Sequence, residues 1–430
     1  MASQIISNVS STPWDEDALS CAAMINGSNH RPKRRSLIVA FVCFFFSLAV
    51  AAYAADKDDA GNKPSDFPGY SMDDLRKMAD LIQRTGISAD KIPSINKPRF
   101  LSISAASLSM DNEEIVFVVH YPGNLVRIYP RRIMLWHEAV NDILPDSEGN
   151  LPSQPVPGVS ETTGGACTLT YSPLTGAVVA FHSKAGRYAT SFGISGNLLN
   201  GNSVLYDRIS RSLWSQLMAV CLEGPLRGKR LERIPVLWAR WGGVKERYGG
   251  LDSSFSGKAE VLSRATGHKR SYGKDPYGSY DTPGNYYDNN RLPFPVSHLD
   301  SRLPPKTAIL GVEADSAFGA IRKDAVKQTR VLNFSLGAVP MVAVYDEGID
   351  AIRVFGRQLP GQEEALSFII FEDKLVDEQT KSEWLPDGTC TYGRFKERTL
   401  SPVIAIDAMW FAWASFYRGS RIFPDKDPSY

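Results

Sequence analysis

Hydrophobic residues fall into short runs along most of this chain, and their spacing predicts strands. Four apolar or alternating runs are bounded by turn residues, as strands of a sheet are. These runs are Ile115–Val119, Ala177–Phe181, Met341–Val344 and Ser367–Phe371. Short helical stretches between them, Arg131–Val140 and Arg322–Gln328, do not give the regular strand–helix alternation of a parallel sheet. The pattern therefore predicts an α+β fold that is β-rich.

One amphipathic helix is predicted before these strands. Ser71 followed by Asp74 resembles the capping signature of a helix N-terminus. Gly86 is the expected end of the helix, which would pack on the main body. Its apolar face consists of Met72, Leu75, Met78 and Ile82.

Two stretches of the chain match each other in order, which predicts an internal duplication. Residues 168–181 align with 342–355 without a gap, and residues 206–214 align with 376–384. We therefore expect two pseudo-symmetric lobes with tryptophans in equivalent parts of the core. The aligned tryptophan pairs are Trp238 and Trp241 with Trp410 and Trp413.

This pattern divides the chain into five segments. The predicted boundaries are 1–54 for a signal peptide or signal anchor, 55–96 for a spacer and short helix, 97–249 for the first lobe, 250–305 for a connection rich in Gly, Tyr and Pro, and 306–430 for the second lobe.

The first segment has the features of an export signal. Residues 31–35 are basic, residues 37–52 are apolar, and residues 52–54 supply the small side chains that signal peptidase recognises. Met24 is an alternative start that gives a leader of ordinary length. The apolar run also approaches the ~20 residues that cross a bilayer, so residues 36–55 could stay as an uncleaved anchor. Because basic residues precede the run, both alternatives predict a periplasmic protein.

The charge balance argues against a nucleic-acid partner. The formal net charge is +1, and residues beyond the leader contain equal numbers of acidic and basic side chains. A nucleic-acid-binding surface would need an excess of Lys and Arg. Contact with the membrane is expected only through the N-terminal segment.

Three cysteines lie beyond the leader: Cys167, Cys221 and Cys390. An exported protein can hold a disulfide, but an odd number leaves at least one thiol free. We expect them to be small buried residues, and one disulfide among them stays open.

Several motifs resemble those of a known bacterial family. They lie at residues 136–142, 170–176, 192–196, 205–208, 212–216, 224–229, 272–277, 303–306 and 410–413. Through these motifs the chain resembles the family catalogued as domain of unknown function 3179, over about residues 97–425. The resemblance implies no reaction.

The resemblance also reveals a departure at residues 171–176. Family members typically carry two cysteines at the positions of Ser172 and Thr175. Such a pair could bind a soft metal or cycle as a dithiol, whereas hydroxyl groups do neither well. The resemblance therefore implies a degenerate form of a Cys site, with no metal bound by Ser172 and Thr175.

Polar residues of the first lobe are the candidates for chemistry. Glu138 and Asp142 are four residues apart and would share a face of the predicted helix. With His137 they could act as a general base and its orienting group, or as ligands for a hard cation. Asn141 stands where an HExxH zinc motif needs histidine. These residues could equally cap the helix.

Arg208 is a second catalytic candidate because only one of the two aligned copies has it. Glu378 takes its place in the second copy, whereas Asp207 is matched by Asp377 and is expected to stabilise the fold. Residues 192–196 are expected to be a glycine-rich turn rather than a nucleophile site. The candidates for ligand binding are Ser172, Thr175, Asn200, Tyr206, Asp207 and Gln216.

Two hypotheses for the function follow. In the first, the protein is an extracytoplasmic binding or scaffold protein whose degenerate site holds a small polar ligand or an envelope protein. In the second, it is a hydrolase-like periplasmic enzyme that uses His137 or Glu138 near Arg208. No cofactor is predicted, although the second hypothesis allows a divalent cation.

Overall fold

The computed structural model describes residues 69–144, 165–185, 188–250, 255–278 and 284–425. The predicted leader lies outside the described residues. Within the described ranges, no helix is both long and apolar enough to cross a membrane.

A helix, α1 (Met72–Asp80), precedes the sheets, and Ser71 caps it as the sequence predicts. The strands between residues 97 and 262, called the first lobe below, follow it. The elements of the first lobe are β1 Phe100–Ser102, α2 Ile103–Ser107, β2 Ile115–Tyr121, β3 Leu125–Pro130, α3 Arg131–His137, β4 Ala139–Ile143, β5 Ala166–Ser172, β6 Ala177–His182, β7 Lys184–Ala185, β8 Tyr188–Ala189, β9 Phe192–Leu199, β10 Asn202–Asp207, β11 Leu213–Ser215, β12 Val220–Glu223, β13 Arg233–Ile234, β14 Leu237–Arg240, α4 Trp241–Gly249 and β15 Lys258–Leu262.

The second lobe comprises the elements between residues 306 and 425. They are β16 Ala308–Ala314, β17 Ala317–Arg322, α5 Lys323–Thr329, β18 Val331–Leu336, β19 Val339–Asp346, β20 Ala351–Gly356, β21 Phe368–Phe371, β22 Lys374–Asp377, β23 Glu383–Trp384, β24 Cys390–Tyr392, β25 Ser401–Pro402, β26 Ala405–Met409, α6 Trp410–Phe416 and β27 Arg421–Phe423. The prediction of a β-rich fold is confirmed.

The two lobes have sheets with the same strand order. In the first lobe the orders are β15-β3-β2-β14 with β1 added at the edge, β13-β6-β5-β4, and β12-β11-β10-β9. In the second they are β27-β17-β16-β26, β25-β20-β19-β18 and β24-β23-β22-β21. The parallel pairs are also equivalent: β15 pairs with β3, and β27 pairs with β17. β15 lies within the predicted connection and completes a sheet of the first lobe.

An asparagine joins two sheets in each lobe. Asn141 on β4 donates its amide N–H to the carbonyl of Phe192 at 2.9 Å and accepts the backbone N–H of the same residue at 2.8 Å. Asn333 on β18 makes the same two bonds with Phe368, at 2.7 and 3.0 Å. Asn141 therefore serves the fold.

A buried aspartate organises an equivalent turn in each lobe. Asp207 accepts the backbone N–H of Ser210 at 2.6 Å and the indole N–H of Trp214 at 3.0 Å. Asp377 accepts the indole N–H of Trp384, also at 3.0 Å. Both carboxylates are fully buried, and Asp207 is thereby a determinant of the fold.

The lobes are joined by crossed backbone hydrogen bonds. The N–H of Met409 donates to the carbonyl of Thr175 in the first lobe at 2.8 Å, and the N–H of Arg240 donates to the carbonyl of Ile349 in the second at 2.9 Å. The turn after β5 thus bonds to the end of β26, and the turn after β19 bonds to the end of β14.

Close approach and charge support this docking. Arg247 pairs with Asp346, which is buried in the opposite lobe, and Nη2–Oδ1 is 2.8 Å. A Cβ atom on Gly243 would lie 1.7 Å from the carbonyl oxygen of Gly348, so only glycine fits there. One apolar core then spans both lobes and includes Phe181, Trp214, Trp410, Trp413 and Tyr417.

The predicted helix over residues 131–140 is wrong beyond His137. Glu138 ends α3 in the left-handed conformation, with φ at 54°. Residues 139–143 then pair with β5, and Val140 bridges to Ile95. Tertiary pairing overrides the helical pattern here, so Glu138 and Asp142 do not share a helical face.

Three smaller expectations also differ from the structure. α1 ends at Asp80 and not near Gly86. Residues 192–196 belong to strand β9 rather than to a turn, because β10 pairs with them. The sequence alignment matched Trp238 with Trp410, but in the structure Trp241 is the residue equivalent to Trp410, because these two begin the helices α4 and α6. The alignment is therefore shifted by about one helical turn.

The three cysteines are buried and free. Burial raises the pKa of the Cys167 and Cys221 thiols. Cys221 and Cys390 hold equivalent places: each thiol lies within 3.5 Å of the carbonyl two residues further on. They pack as small side chains inside strands.

We expect Asp207→Ala and Asp377→Ala to lower the free energy of unfolding by similar amounts, about 3 kcal/mol each, because each leaves several buried N–H groups without an acceptor. Urea unfolding of the two variants measures this. Glu364→Ala, at an exposed position, is the control. A loss below about 1 kcal/mol in either variant would contradict the assignment.

Candidate functional site

Glu138 lies at the centre of the polar residues of the first lobe. The residue is 5% exposed, and the hydroxyl of Ser203 donates to its Oε2 at 2.7 Å. The left-handed backbone of Glu138 links α3 directly to β4, and its carbonyl accepts the N–H of Tyr171. Its position is therefore fixed by both elements.

Ser172 extends this arrangement to the turn between β5 and β6. Its Oγ accepts the backbone N–H of Ser203 at 3.2 Å and lies 3.2 Å from the Ser203 Oγ. The Ser203 hydroxyl is the donor towards both Ser172 Oγ and Glu138 Oε2, and its single proton serves one of them at a time. Thr175 closes the turn with its N–H on the Ser172 carbonyl at 3.2 Å.

Asn202 and Gln216 continue the same network. Asn202 donates to Thr175 Oγ1 at 3.0 Å and to Gln216 Oε1 at 2.8 Å. Gln216 donates in turn to Thr170 Oγ1 at 3.0 Å. We call this set the first-lobe polar network; it consists of Glu138, Thr170, Ser172, Thr175, Asn202, Ser203 and Gln216.

The charge of Glu138 has no cation beside it. Within the described residues no Lys, Arg or His side chain forms an ion pair or hydrogen bond with this carboxylate. Burial raises its pKa to about 7, and the Ser203 hydroxyl only partly opposes this rise. The carboxyl therefore exchanges a proton near neutral pH.

Tyr277, from the connection, lies beside this carboxyl. Burial first, and then the negative charge of Glu138, raise the pKa of Tyr277. In the described part of the chain, neither the Tyr277 hydroxyl nor Glu138 Oε1 has a hydrogen-bond partner. Tyr277 is only partly buried and packs against two apolar clusters of the core. Tyr286 covers the adjoining turn by donating to the Leu174 carbonyl at 2.5 Å.

The second lobe has different residues at the equivalent positions. Arg330 stands at the position of Glu138, in the left-handed conformation after α5. Asp373 aligns with Ser203 in the sequence, but it lies in the turn between β21 and β22 and is 86% exposed; its carboxylate forms an ion pair with Arg330 at 2.5 Å. Ile349 replaces Thr175. The uncompensated carboxyl is therefore a property of the first lobe.

His137 is a structural contact between segments. Its Nδ1 lies 2.7 Å from the carbonyl of Pro93, and its Nε2 lies 2.7 Å from the hydroxyl of Tyr272. Because a carbonyl only accepts, Nδ1 carries the proton and Nε2 accepts from the tyrosine. Burial lowers the pKa of His137 to about 4, so the ring stays neutral with both nitrogens occupied.

Asp142 belongs to a separate buried cluster. Its Oδ1 accepts the N–H of Ile143 at 2.8 Å, and its Oδ2 lies 3.6 Å from Arg127 Nε. Burial raises the pKa of Asp142, and Arg127 opposes this. No contact joins it to Glu138 in the described ranges.

Arg208 and Tyr206 bind the segment that follows α1. Arg208 donates to both carboxylate oxygens of Asp90 at 2.9 Å and to Ser94 Oγ at 3.0 Å. Tyr206 donates to Asp90 at 2.5 Å. Asn200 forms a hairpin turn at φ 52° and accepts the N–H of Ser297. The candidates Arg208, Tyr206 and Asn200 therefore lie outside the first-lobe polar network.

The predicted site residues are thus only partly brought together. The structure unites Glu138, Ser172, Thr175 and Gln216 and places the other candidates elsewhere. Sequence reasoning missed Asn202 and Ser203, because they directly follow a turn and look like turn residues. Tyr277 ends the motif at residues 272–277, and nothing in that motif links it to Glu138.

Metal ligands do not cluster in the described residues. They contain no group of three or more His, Cys, Asp or Glu side chains that could hold an ion. A cleft of about 610 Å³ lies between β13 and the β16–β17 turn. Its partly buried Glu313 pairs with Arg230 and Arg233.

Comparison with known proteins places the chain in a family. The chain belongs to the family described as protein of unknown function (DUF3179), whose model matches residues 89–152 and 158–420. No curated protein and no solved structure matches it. The resemblance seen in the sequence is therefore confirmed.

We expect Glu138→Gln to be more stable than the wild type above pH 7. The unfolded carboxyl loses its proton near pH 4.5, whereas the folded one keeps it until about pH 7. Ionisation therefore favours the unfolded chain increasingly between these values, and the neutral amide removes that penalty. The stability gap should reach about 3 kcal/mol above pH 7 and vanish below pH 4.5.

Urea unfolding at several pH values measures this gap. Glu364→Gln, at an exposed position, should follow the wild type at every pH. A difference in stability between Glu138→Gln and the wild type that does not change with pH would show that the pKa of Glu138 is not raised in the folded protein.

Proposed function

We propose that this family member is an exported protein that binds a small polar ligand at the Glu138 end of the first-lobe polar network. The observation that carries this proposal is a buried carboxyl without a cation in the first lobe; the second lobe has the partly exposed Arg330 at that position, paired with the exposed Asp373. Burying an uncompensated carboxyl lowers stability. A ligand that donates hydrogen bonds to Glu138 and Tyr277 would offset that cost.

The family resemblance supports a degenerate form of an older site. Ser172 and Thr175 flank the turn that touches the other lobe, where cysteines would face the same network. In this chain their hydroxyls bond to Ser203 and Asn202. The chain therefore keeps the polar surroundings of the site without its thiols.

Export and duplication belong to the same proposal. The basic, apolar and small-residue order of residues 31–54 supports export to the periplasm, with an anchor over residues 36–55 as the alternative. The shared strand order of the lobes supports an origin by duplication. An envelope protein is the alternative partner to a small ligand.

The enzyme hypothesis keeps one observation in its favour. A carboxyl with a pKa of about 7 suits a general acid or base at neutral pH. However, Arg208 binds Asp90, and His137 has both nitrogens occupied. Glu138 would have to act with Tyr277 alone, so binding is the better supported function.

Native mass spectrometry of protein purified from the periplasm tests the binding site. We expect the wild type to retain a small molecule that Glu138→Gln loses, while Glu364→Gln retains it. We expect Ser172→Cys/Thr175→Cys to gain a soft metal such as Zn²⁺, because two thiolates then flank one turn. A stoichiometric metal in the wild type that persists in Glu138→Gln would contradict the proposal.

The intact mass of the same protein tests export. We expect the mature chain to begin at Ala55, because residues 52–54 provide the cleavage signal. A chain that keeps residues 36–55 and sediments with membranes would support the anchor instead. A full-length chain in the cytoplasm would contradict both forms of export.

A further inference from the structure

The first lobe has its sheet edges covered by the chain itself. Residues 88–97, the covering segment, follow the outer edges of β9 and β4. The N–H of Asp90 donates to the Ile194 carbonyl at 2.9 Å. The N–H of Ile95 donates to the Ala139 carbonyl at 2.9 Å, and the carbonyl of Ile95 accepts the N–H of Asn141 at 2.8 Å.

A charged pair fastens this covering segment. Arg208, at the end of β10, holds Asp90 with two hydrogen bonds. Both side chains remain about one-third exposed. The covering segment thus adds to the sheet edges as an extra strand would. Its backbone hydrogen bonds hold it there, and the ion pair between Arg208 and Asp90 sets its register.

Within the described residues, the equivalent edges of the second lobe have no covering segment. β21 and β18 are the terminal strands of their sheets. In the described ranges, no strand or bridge pairs with their outer sides. The groups equivalent to those used in the first lobe are the carbonyls of Val331 and Ile370 and the N–H of Asn333. Phe371, on the same edge, is 56% exposed.

The charge of this edge is opposite to that of its first-lobe counterpart. Glu378 stands at the position of Arg208; its N–H bonds to the Ser367 carbonyl as that of Arg208 does to Ser191. Glu363, Glu364 and Glu372 are also exposed near β21, and none forms an ion pair in the described residues. Pairing this edge with the same edge of a second copy would bring these acids together, which is unfavourable.

We propose that the outer edge of β18 and β21, the second-lobe edge, binds an extended segment of a partner protein. The segment adds a strand as the covering segment does in the first lobe, and it carries Lys or Arg where the covering segment has Asp90. An unpaired apolar edge is otherwise prone to aggregation. This interaction lies in the opposite lobe from Glu138 and does not depend on the ligand proposed there.

Peptides with the sequence of residues 88–97 test the proposal. One peptide keeps Asp90 and the other carries Asp90→Arg; binding to the full mature protein is followed by NMR at the amides of Asn333 and Phe371. We expect the Arg peptide to bind about five-fold more tightly, as one partly exposed ion pair allows. We expect Glu378→Arg to reverse this preference.

A matched control separates local pairing from overall charge. Glu397→Arg changes the net charge equally at an exposed position of the same lobe, and it should keep the preference of the wild type. No perturbation of either amide at about 1 mM peptide, or the same preference in Glu378→Arg as in the wild type, would overturn the proposal. A concentration-dependent dimer that buries Asn333 would also overturn it, because a second copy would then occupy the edge.

Discussion

The crossed backbone bonds between the lobes are the constraint on which the site depends. The carbonyl of Thr175 accepts the N–H of Met409, and the carbonyl of Ile349 accepts the N–H of Arg240. The turn that makes the first of these bonds also connects Ser172 with Thr175, so the contact between the lobes and the first-lobe polar network share one turn.

The two lobes carry opposite charges at the same left-handed position. In the second lobe Arg330 is partly exposed and pairs with the exposed Asp373. The first lobe places Glu138 against Ser203, which offers one proton and no charge. Since the backbone is left-handed at both positions, the backbone geometry does not require the carboxylate. Its presence has to be explained by something other than the backbone.

The sequence predicted those features that depend on local chemistry. The cap at Ser71, the short strands and the role of Asp207 follow from spacing, turn residues and the match between copies. It failed where long-range pairing decided the structure. Residues 138–143 look helical because polar and apolar side chains alternate at helical spacing, yet pairing with β5 makes them a strand. Asn202 and Ser203 could not be recognised because only the fold brings them to Glu138.

Residues unique to one lobe are not, for that reason alone, functional. His137 and Arg208 bond to Pro93 and Asp90, both within the covering segment of the first lobe. The second lobe has no such segment in the described residues, so it has no need of a histidine or an arginine at those places. The contacts with the covering segment therefore explain His137 and Arg208, two of the three residues that the enzyme hypothesis names. They do not explain Glu138, which forms no hydrogen bond or ion pair with the covering segment in the described residues. The uncompensated carboxyl is the feature of the first lobe that the fold leaves unexplained, and the search for a ligand should begin there.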